Sequence, residues 1–474
     1  MKCEGFLLML DFGGKKVLVL GLGDSGLSMT RWLTRHGADV RVADTRAKPP
    51  HAALLARELP QVAVTAGAFG KRGFDGADLI AISPGIDRRE PPVANAVRRG
   101  VPVVGDIELF AQALATLNTR HSTLDTPKVL AITGSNGKST VTAMAGDMCR
   151  AAGFGTVVAG NIGLPVLDAL TQIENEGRMP QAFVLELSSF QLESTRSLSP
   201  AAATVLNLTE DHMDRYEDMA GYAAAKTRIF DGEGTQVLNR DDRWSMGMAR
   251  ADREVATFGL SVPGDDREWG IRVMQGRRWL AHGGHELLPV DELPVAGLHN
   301  AANALAAAAL CHAIGVPDAP LAGALRGFRG LPHRVEKINE INGISFYDDS
   351  KGTNVGATVA ALTGMTQPVL LIAGGDGKGQ DFAPLAPAVA QHARAVVLIG
   401  RDADAIARVL AGNKVPVVRA SGMEEAVRMA FDAGRPGDAV LLSPACASYD
   451  MFRNYVHRGE MFVQAVEHLA KERG

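Results

Sequence analysis

The sequence predicts an α/β protein of three domains built on mostly parallel sheets. Length is the first observation: 474 residues divide into about three units of roughly 150 residues each. The second is texture. Short apolar runs ending in glycine or a polar residue alternate with helical stretches, the pattern of strands buried on both faces. The third is a pair of glycine-rich loops, each following such a run and opening a helix.

The first unit contains KVLVLG (Lys16–Gly21), then a helical pattern through Trp32 and Leu33, and VRVAD (Val40–Asp44). ADLIAISPG (Ala77–Gly85) and VPVVG (Val101–Gly105) complete four strands of a Rossmann-like N-terminal domain, residues 1–117. Asn118–Pro127 is polar, lacks periodicity and ends in proline, so it reads as a linker. A P-loop ATPase-like central domain, residues 118–331, then opens with KVLAITGSNGKST and continues through AFVLELSS and AATVLNLT. From Thr235 to Leu298 the segments EVATFGL and GIRVMQGRRWLA read as hairpins, which adds antiparallel strands. A helix over Asn300–Ile314 leads into FRGLPHRVE, a second linker. A Rossmann-like C-terminal domain, residues 332–474, follows with GISFYDDS, PVLLIAGGDGKG, AVVLIGRD, PVVRA and DAVLLSPA.

Composition excludes several functions. With 49 Lys+Arg against 53 Asp+Glu, the net charge of −4 gives no global attraction to nucleic acid or an anionic membrane. Cys3, Cys149, Cys311 and Cys446 form no CxxC pair and no metal spacing, as expected of reduced thiols in a cytoplasmic protein. The apolar run Phe6–Leu10 is too short for a secretion signal, and Ala301–Ile314 is interrupted by Asn303 and His312 and too short to span a bilayer. Asn207-Leu-Thr209 fits a glycosylation acceptor, but no secretion signal supports that use.

Five motifs carry chemistry, and each sits where a strand ends, which is where open parallel sheets bind ligands. Gly21-Leu-Gly23-Asp-Ser-Gly26 lets backbone amides approach a pyrophosphate at the positive end of a helix, and Asp44 stands where a ribose or base is read. A dinucleotide cofactor and a bare strand–helix turn both fit that loop. Thr133–Thr140 (TGSNGKST) can cradle phosphates, with Lys138 neutralising β/γ oxygens and Ser139 holding Mg²⁺. It is a variant P-loop, because Ile132 stands where the general pattern has its first glycine. Glu186, ending the strand AFVL, suits a Mg²⁺ ligand. His212, in TEDHMD, is either a metal or substrate ligand or an ordinary surface histidine. Tyr347–Asn354 and Gly374–Lys378 pair Asp with Lys and suit an anionic ligand as well as they suit solvated turns. Lys226, in GYAAAKTRIF, reads as a solvated lysine.

As a set, in order and along essentially the whole chain, these segments resemble the Mur ligase family of ATP-dependent amide ligases. The resemblance is carried by GLGDSGLS, ADTR, SPGI, GDIELF, TGSNGKST, GNIG, ELSSFQLE, NLTEDHMDRY, GLHNAANALAA, GLPHRVE, DDSKGTN, AGGDGKG and SPACASYDMF. ELSSFQLE, DSKGTN and SPACASYDMF point to its D-glutamate-adding branch; a sibling ligase adding another amino acid is the alternative. The resemblance implies that ATP phosphorylates the L-alanyl carboxylate of UDP-N-acetylmuramoyl-L-alanine and that D-glutamate then attacks the acyl phosphate. It further implies that the first loop, through Gly23, Ser25, Asp44, Thr45, Arg46, Ser83 and Gly85, holds the uridine diphosphate, while Asn161 touches the muramoyl group. Gly134, Ser135, Asn136, Gly137, Lys138, Ser139, Thr140, Asn303, Arg334 and Asp349 would contact ATP. Ser139, Glu186, His212 and a carbamylated Lys226 would serve two Mg²⁺ ions, with Lys138, His212 and Lys226 catalytic. Lys351, Thr353, Ser448 and Tyr455 would grip D-glutamate, with Tyr455 standing where the family often has Phe. A cytoplasmic monomer that neither enters the membrane nor binds nucleic acid is expected.

Overall fold

Among the described residues twenty strands form three sheets, one for each part of the chain. The computed structural model describes residues 12–120, 126–295 and 297–473. The run Phe6–Leu10, Cys3 and the middle of the Asn118–Pro127 linker lie outside the described residues. The linker's first residues instead end a helix, Asp106–Arg120.

The N-terminal sheet contains β1 (Lys16–Leu20), β2 (Asp39–Asp44), β3 (Ala63–Ala66), β4 (Leu79–Ile82) and β5 (Val103–Val104), all parallel in the order β3-β2-β1-β4-β5. The order reverses between β1 and β4, so the loops after these two strands flank a crevice at the carboxyl edge. Strand β3 escapes the sequence reading because AVTA is a largely exposed edge with no apolar run.

The central sheet runs through β6 (Lys128–Thr133), β7 (Thr156–Gly160), β8 (Ala182–Glu186), β9 (Ala202–Val205), β10 (Thr235–Asn239), β11 (Val255–Phe258), β12 (Glu268–Met274), β13 (Arg277–His282) and β14 (His285–Pro289). Its order is β14-β13-β12-β11-β10-β9-β6-β8-β7. GIRVMQGRRWLA folds as the expected hairpin, with β12 antiparallel to β13 and β13 antiparallel to β14. EVATFGL does not: Val255–Phe258 pairs in parallel with both β10 and β12. Its four residues show no alternation that distinguishes the two partnerships, and the neighbouring strands decide.

The C-terminal sheet contains β15 (Glu336–Ile341), β16 (Ile344–Asp348), β17 (Val369–Gly374), β18 (Ala393–Ile399), β19 (Val417–Arg419) and β20 (Ala439–Leu442), in the order β15-β16-β20-β17-β18-β19. All neighbours are parallel except β15, an antiparallel edge just past the second linker that no apolar run marks in the sequence.

Two helices position the nucleotide loop. Lys138–Ala151 leaves the P-loop, and Leu298–Ala313 packs against it with Ala301, Ala304, Leu305 and Ala308 fully buried. The alanines let the two helices approach closely, which explains an apolar helix that is core rather than membrane. Among the described residues no helix is long and apolar enough to cross a membrane. Polar contacts tie the N-terminal domain to the central one. Buried Glu174 lies 3.2 Å from His36 Nε2 and 3.2 Å from Arg35, and Glu108 accepts the backbone N–H groups of Arg196 and Ser197.

Candidate active site

The P-loop is shaped by its glycines. Gly137 sits at φ 85°, and a Cβ there would lie 2.5 Å from Asn303 Oδ1, so only glycine lets the Asn303 helix close over the loop. The loop is braced from β9's extension: Ser135 N–H donates to Asn207 O at 2.8 Å and Asn136 N–H to Asn207 Oδ1 at 2.9 Å. Asn207, a glycosylation acceptor by pattern, is thus a loop brace. Lys138 Nζ donates to Gly134 O (2.9 Å) and Ser135 O (3.0 Å). Burial lowers its pKa, opposed by Glu186 and Asp211. Ser139 Oγ accepts from Arg334 Nη2 at 2.7 Å, which brings a C-terminal-domain guanidinium onto the loop. Thr140 is buried one residue further along the helix.

Glu186 ends β8 beside the loop and is 2% exposed. Asn161 Nδ2 donates to its Oε1 at 2.8 Å, while Oε2 is buried with no hydrogen-bond partner. A buried, unpartnered carboxylate oxygen is costly unless a cation faces it. His212 has a left-handed backbone (φ 59°), and its ring lies 4.8 Å from that of Phe190. Burial pushes its pKa down to about 4 against the pull of Asp211, so the imidazole is neutral at pH 7 and carries a free lone pair. Neutral His212 and unpartnered Glu186 fit a divalent cation.

Lys226 is not the solvated residue its sequence context suggests. It is 1% exposed, donates to Thr133 Oγ1 (3.1 Å) and Gly134 O (3.0 Å), and lies over the Tyr222 ring. Burial holds its pKa well below the usual lysine value and Lys138 pushes the same way. The helix Met219–Thr227 faces the back of the P-loop, a placement that an alanine-rich segment does not announce.

The C-terminal loops close the site. Asp349 is buried, accepts from Ser443 Oγ at 2.7 Å, and has its pKa raised to about 7 by burial. Lys351 Nζ sits 3.7 Å above the Tyr455 ring, and burial lowers its pKa to about 8. Three residues outside the expected set tie the domains together. Asp211 pairs with Lys378, and Asn354 Nδ2 donates to Asn136 Oδ1 (3.0 Å) and Asp211 Oδ2 (3.3 Å). Lys378 and Asn354 lie in the Asp/Lys loops that the motifs flagged; their partners, more than 140 residues away, could not be read from spacing.

Many of these side chains share one cavity of about 380 Å³. Its wall includes Lys138, Asn161, Glu186, His212 and Lys226 from the central domain, Lys351, Thr353, Ser448 and Tyr455 from the C-terminal domain, and Pro84 from the N-terminal domain. A second cavity of about 330 Å³ lies on the other side of the P-loop, lined by Asn136, Gly137, Thr140, Asn303, Arg334 and Asp349 with apolar Phe328 and Leu331.

In the N-terminal crevice the first loop leads into the helix Asp24–Arg35, capped by Gly23. A Cβ at Gly26 would meet Gly21 O at 1.9 Å, so the glycine is what lets helix and loop touch. Ser83 Oγ donates to Gly21 O, and Gly85 is exposed two residues on. Ser25 hydrogen-bonds the buried Asp106. Asp44 does not present a free carboxylate to a ribose. It is 1% exposed, accepts from Leu22 N–H at 2.7 Å, and holds Arg46 through Nε (2.9 Å) and Nη2 (2.6 Å). Arg46 keeps its pKa down at about 2. Asp44 therefore shapes the loop, while Thr45 and Arg46 are the exposed residues beside it.

Family models match in chain order: "Mur ligase MurD-like, N-terminal domain" over residues 15–105, "Mur ligase middle domain" over 132–311, and "Mur ligase, glutamate ligase domain" over 333–446. The chain is 59% identical over 470 residues to a UDP-N-acetylmuramoylalanine–D-glutamate ligase of Thiobacillus denitrificans, covering 98% of both chains. It is 53% identical over 457 residues to one of Chromobacterium violaceum, covering 96% of this chain and 98% of that one. Among solved structures, the UDP-N-acetylmuramate-alanine ligase of Thermotoga maritima shares the fold at TM-score 0.59 and 20% identity, covering 96% of this chain and 99% of that one. MurF of Acinetobacter baumannii shares it at TM-score 0.59 and 17% identity, covering 95% and 93%. Matched in order through all three parts, the chain belongs to the Mur ligase family of ATP-dependent ligases.

Proposed function

We propose that the chain joins D-glutamate to UDP-N-acetylmuramoyl-L-alanine at the cost of ATP, through an acyl phosphate. The observation that carries this is one cavity lined from three domains, with the P-loop Lys138, the unpartnered carboxylate of Glu186 and Lys351 on its wall. The names of the relatives supply the substrates.

In this reading the three domains are 1–117, 118–331 and 332–474. The uridine diphosphate lies at Gly23, Ser25, Thr45, Arg46, Ser83 and Gly85, with Asp44 setting the loop. Its L-alanyl end reaches the shared cavity past Pro84, with Asn161 beside it. ATP spans the P-loop, its base and ribose in the cavity of Asn303, Arg334 and Asp349. Lys138 and Arg334 offset charge on the transferring phosphoryl group. Lys351, Thr353, Ser448 and Tyr455 hold D-glutamate so that its amine meets the acyl carbon, and phosphate leaves from the tetrahedral adduct. Ser139, Glu186, His212 and a carbamylated Lys226 would hold two Mg²⁺ ions, which supply charge compensation when bound. A carbamate forms from a neutral amine, and the depressed pKa of Lys226 favours that form. The chain is read as a monomer. The buried thiols Cys149, Cys311 and Cys446, none of them in a disulfide, suit the cytoplasm.

The test is phosphate release from ATP with UDP-N-acetylmuramoyl-L-alanine across a panel of D- and L-amino acids. Release only with D-glutamate supports the proposal. Release with another amino acid identifies a sibling specificity, and release without any amino acid removes the ligase reading.

A further inference from the structure

At the far side of the central domain, His282, His312 and Asp318 offer one ligand atom each, all within 4.8 Å of one another. They come from three elements. His282 ends β13, His312 is in the last turn of the Leu298–Ala313 helix, and Asp318 is in the first turn of Asp318–Gly327. None belongs to the cavities described above. We propose that His282, His312 and Asp318 form a surface site for a first-row transition-metal ion of the Zn²⁺, Ni²⁺ or Cu²⁺ type.

The donor set is the first argument. Two imidazoles and a carboxylate favour these ions over Mg²⁺, which takes oxygen ligands. Orientation is the second. His282 stacks on Trp269 with ring centroids 4.1 Å apart and planes 7° apart, and its Nε2 is hydrogen-bonded to the Asp266 carbonyl. That bond places the ring proton on Nε2 and leaves Nδ1 with its lone pair, the outer support that metal-binding histidines usually have. His312 packs edge-on against both rings, 4.5 Å from His282 and 5.5 Å from Trp269. Proximity is the third: His312 Nδ1 lies 3.9 Å from Asp318 Oδ1. His312 and Asp318 are half-exposed, which leaves an entry path and room for water ligands. The other such cluster among the described residues, His333, Glu336 and Asp348, is already satisfied internally. His333 Nδ1 bonds Asp348 at 2.6 Å, and Glu336 takes the His333 N–H.

Trp269 supplies the readout, since a paramagnetic Cu²⁺ or Ni²⁺ ion beside its stacking partner quenches indole fluorescence. The full chain is titrated with Ni²⁺ and Zn²⁺ by calorimetry, and with Cu²⁺ by tryptophan fluorescence, with excess Mg²⁺ present to occupy the nucleotide site. The expected result is one equivalent bound at micromolar concentration, with quenching. H282Q and H312Q should each weaken it by at least about tenfold, D318N should weaken it less, and all should leave ligase turnover unchanged. An E186Q variant retains the site and separates it from ions held in the active-site cavity. Absence of binding below millimolar metal, or affinities for H282Q and H312Q within twofold of wild type, overturns the assignment.

Discussion

Lys226 is where local sequence and tertiary structure disagree most, and replacing it is the sharpest test of the active-site reading. Its ammonium makes two hydrogen bonds behind the P-loop, to Thr133 Oγ1 and Gly134 O. If it were only a brace, K226A would lose about 1 kcal/mol per bond, partly offset by removing a buried group whose charged form is disfavoured. The fold would survive and turnover would fall little. If Lys226 is instead a carbamate that completes the metal site, turnover falls by about 10³-fold or more, the scale of losing a charge-stabilising group in a water-excluded site. K226A should then be partly rescued by a short carboxylic acid filling the vacated anion position. K226R should stay inactive, because a fixed cation ligates no metal. The assay is phosphate release with all three substrates, alongside a thermal melt to establish folding. Near-wild-type turnover in K226A would refute the role. Linkage gives an independent check. The native pKa is depressed below 10.5, so the unfolded chain binds more protons and wild-type stability rises with pH between the depressed value and 10.5. K226M should lack that rise in urea unfolding at a series of pH values.

Four further outcomes are expected. K138A should fold normally but lose about 10³-fold in kcat, measured by phosphate release, because phosphoryl charge loses its nearest cation. D44A removes the anchors of Leu22 and Arg46 and should raise KM for the UDP substrate about tenfold or more while leaving KM for ATP unchanged; a change confined to ATP would mean the two nucleotide sites are exchanged. Asp349, with its pKa raised from 3.8 to about 7, makes the native state bind the extra proton. Wild-type stability should therefore fall relative to D349N as pH rises from about 4 to about 7, measured by chemical denaturation. N354A, which cuts the link from Asn136 and Asp211 to the C-terminal domain, should raise KM for both ATP and D-glutamate, and because Asn354 also caps the helix Val355–Gly364 it should lower stability by about 1 kcal/mol in a thermal melt.

Much of the architecture and its chemistry was local enough to read directly. KVLVLG, KVLAIT and PVLLIAGG are strands because a continuous apolar run has no favourable place except a sheet covered on both faces. The first two of the loops after them read as phosphate sites because glycine tolerates their backbone and lets amides converge. Edge strands were harder. AVTA is short and largely exposed, and EKINEI is mostly polar and half-exposed, so no hydrophobic period marks them. EVATFGL needed its neighbours to choose parallel pairing.

What the sequence by itself determined was the succession of elements and the inventory of reactive groups: a phosphate loop, a strand-end carboxylate, a histidine, and lysines beside aspartates. Only the tertiary structure decided which of them meet and in what state of charge. It buried Lys226 behind the P-loop, turned Asp44 inward onto Arg46, and paired Asp211 with Lys378 across domains. The physical reason is range. Strand pattern and glycine conformation depend on adjacent residues, whereas desolvation and Coulomb interaction depend on whatever the fold brings within a few ångströms, however distant in the chain.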